Sequence, residues 1–438
     1  MNRFLVIPVV CLALSGFSMT AGAEDAPELI EAMARGLDDA AGLDPIIDAI
    51  DGRRYALLGE ASHGTSEYYR WRAKLSQRLI EEKGFRFIAV EGDWALCNRV
   101  NRYIKGIDDT YGSAREALET FDRWPQWMWA NEDIVELVEW LRDYNDGRPA
   151  DEQVGFYGID VYDMDRSIEK VNAYLDGQAP ELAEEAAVAY ACFEPYEGDP
   201  QRYAQAIALR GVSCDEEADA VLALLRENES ELAEADARAY FAAKRNAHVV
   251  RNAERHYRAM LTGGAASWNT RVEHFFDTVE ALMDYHGEGA KGIVWAHNTH
   301  IGDARATDMA RDGRRNIGQL VREAHGEDAA FLVGFATHRG RVLAGRAWEA
   351  PVEEMEIPPA MEGSLEDLLS QTGRERMLLL FDGAEDLPAP FHETLGHRAV
   401  GVVYNPAQEH GNYVPTETAA RYDALLYFEE TEALTPLH

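Results

Sequence analysis

Side chains that could do acid-base chemistry fall at three short motifs in this chain: GEASHG at residues 59–64, EGDW at 91–94 and HNTH at 297–300. Each follows a run of β-branched and aromatic residues with strand composition, at 54–58, 85–90 and 292–296. In open α/β sheets ligands bind in the crevice outside the carboxyl ends of the strands. Parallel pairing of the three runs would therefore gather Glu60, His63, Glu91, His297 and His300 on one crevice. A carboxylate beside an imidazole orients one ring nitrogen and stabilises the imidazolium that forms when the other takes a proton from water. Taken singly, each residue has a plainer reading: a solvated loop carboxylate, a turn histidine, a salt-bridge partner or a core histidine. Their shared placement favours chemistry.

Several alternatives share these residues. The same five side chains include enough nitrogen and oxygen donors for a hydrolytic zinc site. Ser62 beside His63 could serve as a nucleophile, although neighbours on a turn usually point apart. Arg70 and Arg72 lie on the first turns of the following helix, where one guanidinium would face the crevice and pin carboxylates or stabilise an oxyanion; a surface salt bridge is the plainer reading for either. No G-x-S-x-G elbow, P-loop, G-x-G-x-x-G after a strand or H-E-x-x-H is present. Trp124, Trp127 and Trp129 leave open a non-catalytic ligand-binding protein, or else pack inside.

The elements needed to position such a site are a mainly parallel sheet flanked by helices. Further strands are expected at 154–159, 331–335, 377–381 and 399–404. Helices are expected at 66–83, stopped by Gly84, and at 131–145 and 268–285. From 166 to 265 the chain is rich in Ala, Glu, Leu and Arg without a convincing strand, which predicts an inserted helical subdomain. The α/β part then comprises 24–165 and 266–438, with a small C-terminal α+β lobe from about residue 340.

Residues 1–23 have a basic start, an apolar run and Ala-Gly-Ala before Glu24, the pattern of a cleavable signal peptide. The expected location is secreted or periplasmic. Cys192 and Cys214 are the leading disulfide pair in that setting, with Cys97 left over. Across 438 residues, 42 Lys and Arg against 78 Asp and Glu give a net charge of −36. Such a chain repels phosphate backbones and anionic lipid, so neither nucleic acid nor a membrane is expected as partner.

The motifs together resemble the erythromycin esterase family. The residues that carry the resemblance are GEASHGTSE at 59–67, VEGDW at 90–94 followed by NRVNRY, WPQWMW at 124–129, YGID at 157–160 and WAHNTHIGDAR at 295–305. Further similarity runs through 316–320 and 334–340, so it covers most of the chain. It implies an α/β core with a helical insertion, and hydrolysis of an ester or macrolactone without a covalent intermediate, with macrolide inactivation among the implied activities. His63 would be the base that activates water and Glu60 its partner, with Glu91 and His297 completing the cluster. The family's arginine falls on Arg72, not Arg70. His300 matches the second histidine of the family motif and is expected at the substrate with Asp93 and Trp94. Members generally need no metal, so no metal or other cofactor is expected. The partner is a small-molecule ester or lactone.

Overall fold

The computed structural model describes residues 26–438 apart from 108, 197, 198, 212 and 385. The expected signal peptide at 1–23 lies outside the described residues. The described residues contain eleven strands: β1 Arg35–Gly36, β2 Tyr55–Leu58, β3 Phe87–Asp93, β4 Gly155–Asp160, β5 Gly292–Trp295, β6 Ala330–Gly345, β7 Val352–Ile357, β8 Arg376–Leu380, β9 Thr394–Arg398, β10 Tyr413–Glu417 and β11 Ala424–Thr431. Nine of them form one mixed sheet in the order β1-β8-β11-β6-β2-β5-β3-β4, with β7 folded back on the second half of β6. The run from β11 to β4 is parallel throughout, and β8 joins it antiparallel. This is the mainly parallel, helix-flanked α/β fold expected, and β9 and β10 form a separate antiparallel pair.

The apolar runs explain the layering. β2 and β5 are buried along their whole length, as strands covered on both faces must be. Alternate residues enter opposite cores: Ala56, Leu58, Ile88, Val90, Ile293 and Trp295 pack on one face, and Tyr55, Leu57, Phe87, Ala89 and Val294 on the other. Helix Ser66–Lys83 stops where Gly84 takes a left-handed conformation, φ 71°. That conformation is open to glycine at little steric cost. Helix Glu132–Asn145 starts at Asn131, whose side chain accepts from the backbone N–H of Ile134.

Between β4 and β5 the described chain is helical, from Met164–Gln178 through Glu229–Met260 to Ala265–His286. The first part has its own apolar core, which includes Val171, Leu175, Tyr203, Leu222 and Val250. Cys192 and Cys214 form the expected disulfide there, with Cα atoms 5.9 Å apart. Closing a loop of this length removes denatured-chain entropy equivalent to about 3 kcal/mol. Replacing both cysteines with alanine should lower the urea midpoint by a corresponding amount, measurable against the oxidised parent.

One expected strand is absent. Residues 399–404 have strand composition but pair only through isolated bridges, Val400 with Ser62 and Val403 with Gly345. Their backbone amides go instead to the loop after β2 and to the β6 end, Val400 N–H to the Ala61 carbonyl (2.8 Å) and Tyr404 N–H to the Gly345 carbonyl (2.9 Å). The sheet positions beside β6 are already taken by β2, β7 and β11. β6 is also three times the expected length, and β11 was not expected as a strand.

Candidate active site

The three motifs converge because β2, β5 and β3 are adjacent parallel strands. One glycine and a bulge set the local geometry. A β-carbon at Gly59 would run into the carboxamide of Asn298, so only glycine lets the β2 exit pass this close to the HNTH loop. Asn298 then joins the motifs: its N–H donates to the Glu60 carbonyl (2.8 Å), its Nδ2 to Phe335 O (2.7 Å), and its own carbonyl accepts from Arg421 (2.9 Å). At the end of β3 the pairing with β4 slips between Val90 and Asp93, giving β3 one extra residue. Such a bulge re-aims the side chain it carries, which here is Glu91.

A cavity of about 370 Å³ opens above these strand ends. Its wall includes His63, Glu91, Asp93, Asp160, Arg271, His297 and His300. His63 Nδ1 lies 2.8 Å from Glu60 Oε1, and Glu60 Oε2 accepts from Arg72 Nη2 at 2.8 Å. Arg72 is fully buried and lies against the rings of Tyr69 and Trp295, at 4.4 and 4.6 Å from their centroids. Burial disfavours an imidazolium at His63, but the Glu60 hydrogen bond and charge outweigh it and raise its pKa above the ordinary histidine value.

A second network faces the first across the cavity. Arg271, from helix Ala265–His286, donates through Nε and Nη2 to both Asp160 oxygens (2.9 and 2.6 Å) and through Nη2 to Glu91 Oε1 (2.8 Å). Glu91 Oε2 accepts the backbone N–H of His297 (2.9 Å). Burial would raise the Glu91 pKa, yet His300 and Arg271 hold it well below the usual carboxylate range. Arg271 is the permanent cation of the two, because burial lowers the pKa of His300 itself. Asp160 is held down against burial by the same guanidinium.

His297 stands between the networks, its ring centroid 4.9 Å from that of His63. Its Nδ1 accepts the Thr299 N–H (3.2 Å) and lies 2.8 Å from Thr299 Oγ1, while Nε2 has no hydrogen-bond partner. Burial, reinforced by His63, holds its pKa well below the ordinary value, so the ring is neutral. His300 stacks on Trp268, with centroids 4.5 Å apart and planes 8° apart.

Glu60, His63, Glu91, His297, His300 and Asp93 thus come together, and Asp93 is clamped by Arg123 through two bonds of 2.6 and 2.7 Å. Glu60 and Arg72 stand behind His63 and do not line the cavity. Trp94, expected at the substrate, does not reach it. As the first residue of helix Trp94–Ile104 its ring turns away, stacking on Tyr157 (5.7 Å) and donating to Ala242 O (3.3 Å). Arg70 is the surface residue of its pair, bonded to Asp133. Ser62 Oγ is bonded to Thr65 Oγ1 and is buried off the cavity wall. Cys97 is fully buried, with its thiol pKa pushed up by burial.

Of the three tryptophans, Trp127 is core, Trp129 bonds the Glu91 carbonyl (3.2 Å), and Trp124 packs on Trp348 at the cavity rim. They do not form one exposed platform. The carboxylates of the zinc alternative are occupied by Arg72 and Arg271, and among the described residues no three His, Cys, Asp or Glu side chains are grouped as a metal site needs. Sequence reasoning missed Asp160, Arg271 and Arg123. Asp160 ends β4 and could have been found by the strand-end rule that found Glu91.

A family model described as erythromycin esterase matches residues 80–431. Erythromycin esterase type II of Escherichia coli is 31% identical over 119 residues, covering 27% of this chain and 26% of that protein, so the match spans about a quarter of this relative's length. Solved structures with the same fold include a succinoglycan biosynthesis protein at 20% identity and TM-score 0.77, covering 94% of this chain and 98% of that one. A Bacillus cereus protein reaches TM-score 0.78 at 17% identity, covering 95% and 99%. A mutant of the erythromycin esterase EreC in its open conformation has TM-score 0.64 at 16% identity, covering 90% and 94%. At these identities the likeness to the solved structures is one of fold.

Proposed function

The chain belongs to the erythromycin esterase family, and from that membership we propose that it is an exported hydrolase that adds water across an ester or lactone of a small molecule, macrolactones included. The observation that carries this reading is the buried relay Arg72–Glu60–His63, which ends on the cavity wall. Glu60 occupies Nδ1 of His63 and leaves Nε2 to take a proton from water. The resulting hydroxide adds to the substrate carbonyl carbon as the imidazolium forms beside the Glu60 charge.

The tetrahedral oxyanion then needs a donor. His297 suits this role: its Nδ1 accepts the Thr299 amide, so its hydrogen resides on Nε2. Collapse breaks the bond from carbonyl carbon to alkoxy oxygen, and the departing alkoxide takes the proton from His63. The products are a carboxylic acid and an alcohol, joined in one chain when the substrate is a lactone. Arg72 acts by holding Glu60 and not by touching the carbonyl, since it lies off the cavity wall. Glu91 and Arg271 keep the His297 loop in place, and Asp93 and His300 offer polar contacts to the substrate.

Export rests on the signal-like residues 1–23 and is supported by the Cys192–Cys214 bridge, a bond that persists in oxidising compartments. Among the described residues no helix is long and apolar enough to cross a membrane. Incubation of residues 24–438 with a panel of simple esters and macrolactones, read by mass spectrometry, is expected to show gain of one water by at least one macrolactone or simple ester. Saturable binding with no product across the panel would overturn the hydrolase reading.

A further inference from the structure

A second concavity, of about 360 Å³, lies apart from the catalytic cavity where helices Trp94–Ile104, Met164–Gln178 and Glu229–Met260 meet. Its wall includes Arg99, Arg102 and Lys170 with Asn98, Asn246 and Tyr111, and none of the described residues that line it is Asp or Glu. That composition runs against the chain as a whole, in which acids outnumber bases 78 to 42.

Many arginines near the surface pair with carboxylates, among them Arg78 with Asp44 and Glu82, Arg166 with Asp122 and Asp163, and Arg251 with Asp219. Arg99 instead makes a long 3.4 Å contact to the Thr120 carbonyl, and no described carboxylate forms an ion pair with Arg99 or Lys170. The cations also crowd one another. The Lys170 pKa is lowered by burial and then by Arg99, with Glu169, its neighbour in the chain, only partly offsetting them. Converging cations with amide and hydroxyl groups around a hollow of this size are what an oxyanion requires: charge-assisted donors and a locally positive field.

We propose that this seam is a binding site for a phosphate or sulfate group, free or carried by a small organic molecule. Arg99 offers its planar fork to the oxygens, Lys170 closes the opposite side from helix Met164–Gln178, and the Asn98 amide adds an uncharged donor. The occupied site joins the helical region to helix Trp94–Ile104, which begins directly after Glu91 and Asp93 of the catalytic cavity. Ligand binding there therefore stabilises the seam between the two parts.

The test is calorimetric titration of the protein with inorganic phosphate and, separately, with glycerol 3-phosphate at constant ionic strength, with thermal melts in parallel. The expected result is saturable binding of one anion per chain and a melting temperature that rises with ligand concentration. The double variant Arg99→Gln, Lys170→Gln should weaken binding by about tenfold or more through loss of two charge-assisted contacts, and Lys74→Gln, on another helix, should leave it unchanged. Tighter binding of glycerol 3-phosphate than of phosphate identifies an organic phosphate as the better occupant, and equal binding identifies the free anion. No saturable binding up to about 10 mM, or binding that survives in the double variant, would overturn the proposal.

Discussion

His63→Ala is expected to lower hydrolysis of an accepted ester by a factor of about 100 to 10,000, the usual worth of a positioned general base, while far-UV circular dichroism and the melting temperature stay close to the parent. His63 is at the cavity wall and not in either apolar core, so removing the ring opens no core cavity. Undiminished turnover by the folded variant would sink the mechanism. The pH profile gives a second readout. The base works in its neutral form, and Glu60 raises the pKa of His63 above 6.5, so activity falls as pH drops through that raised value. Glu60→Gln keeps the shape but removes the charge, leaving only the smaller effect of Glu91 against burial; the acid limb should move to lower pH and the plateau should fall. Linkage has the matching sign: His63 stabilises the fold fully below about pH 6.5, and this contribution is lost as pH rises through its folded pKa.

The parts of the site that sequence reveals are those governed by position along a strand. Glu60, His63, Glu91 and His297 each follow a short apolar run, and the open-sheet rule converts that local fact into shared location. Asp160 obeys the same rule after β4. The choice between Arg70 and Arg72 was also available in principle: Arg72 falls four residues after Tyr68, three before Leu75 and seven before Leu79, all buried, which places it on the inward stripe of the helix. Arg70, two residues away, must face nearly opposite.

What stayed hidden depends on tertiary competition. Residues 399–404 and 424–431 are both largely apolar, yet only the second enters the sheet, filling the position between β6 and β8. Trp94 follows a motif carboxylate but is the first residue of a helix, and its ring packs beneath the helical region. Arg271 sits at a helix position 111 residues after the Asp160 it binds. Nothing adjacent to it in the chain distinguishes it from the many surface arginines nearby.

Arg271 should nevertheless be the residue whose loss costs the most stability. It is the shared cation for Glu91 and Asp160, which are buried at the cavity while the Arg271 side chain is 12% exposed. Arg271→Met keeps an unbranched apolar stem but removes the guanidinium that lies over the Tyr162 and Phe275 rings, leaving the two carboxylates without their permanent counter-charge. Breaking a buried pair in this way costs about 3–5 kcal/mol, and hydrolysis should fall to background because Glu91 no longer holds the His297 amide in register. The loss should depend on pH with a definite sign. Both carboxyl pKa values are depressed in the parent, so their stabilisation is present above the unfolded values near 4 and is lost as pH falls through the folded ones. In the variant these groups can protonate while folded, so the gap from the parent should be largest near pH 7 and should narrow towards about pH 4. Arg271→Lys retains a charge but not the planar fork that reaches Asp160 and Glu91 together; it should recover more stability than activity. Urea titrations of the three proteins across this pH range decide the matter. A methionine variant with parental stability and turnover at neutral pH would show that the two carboxylates do not depend on Arg271.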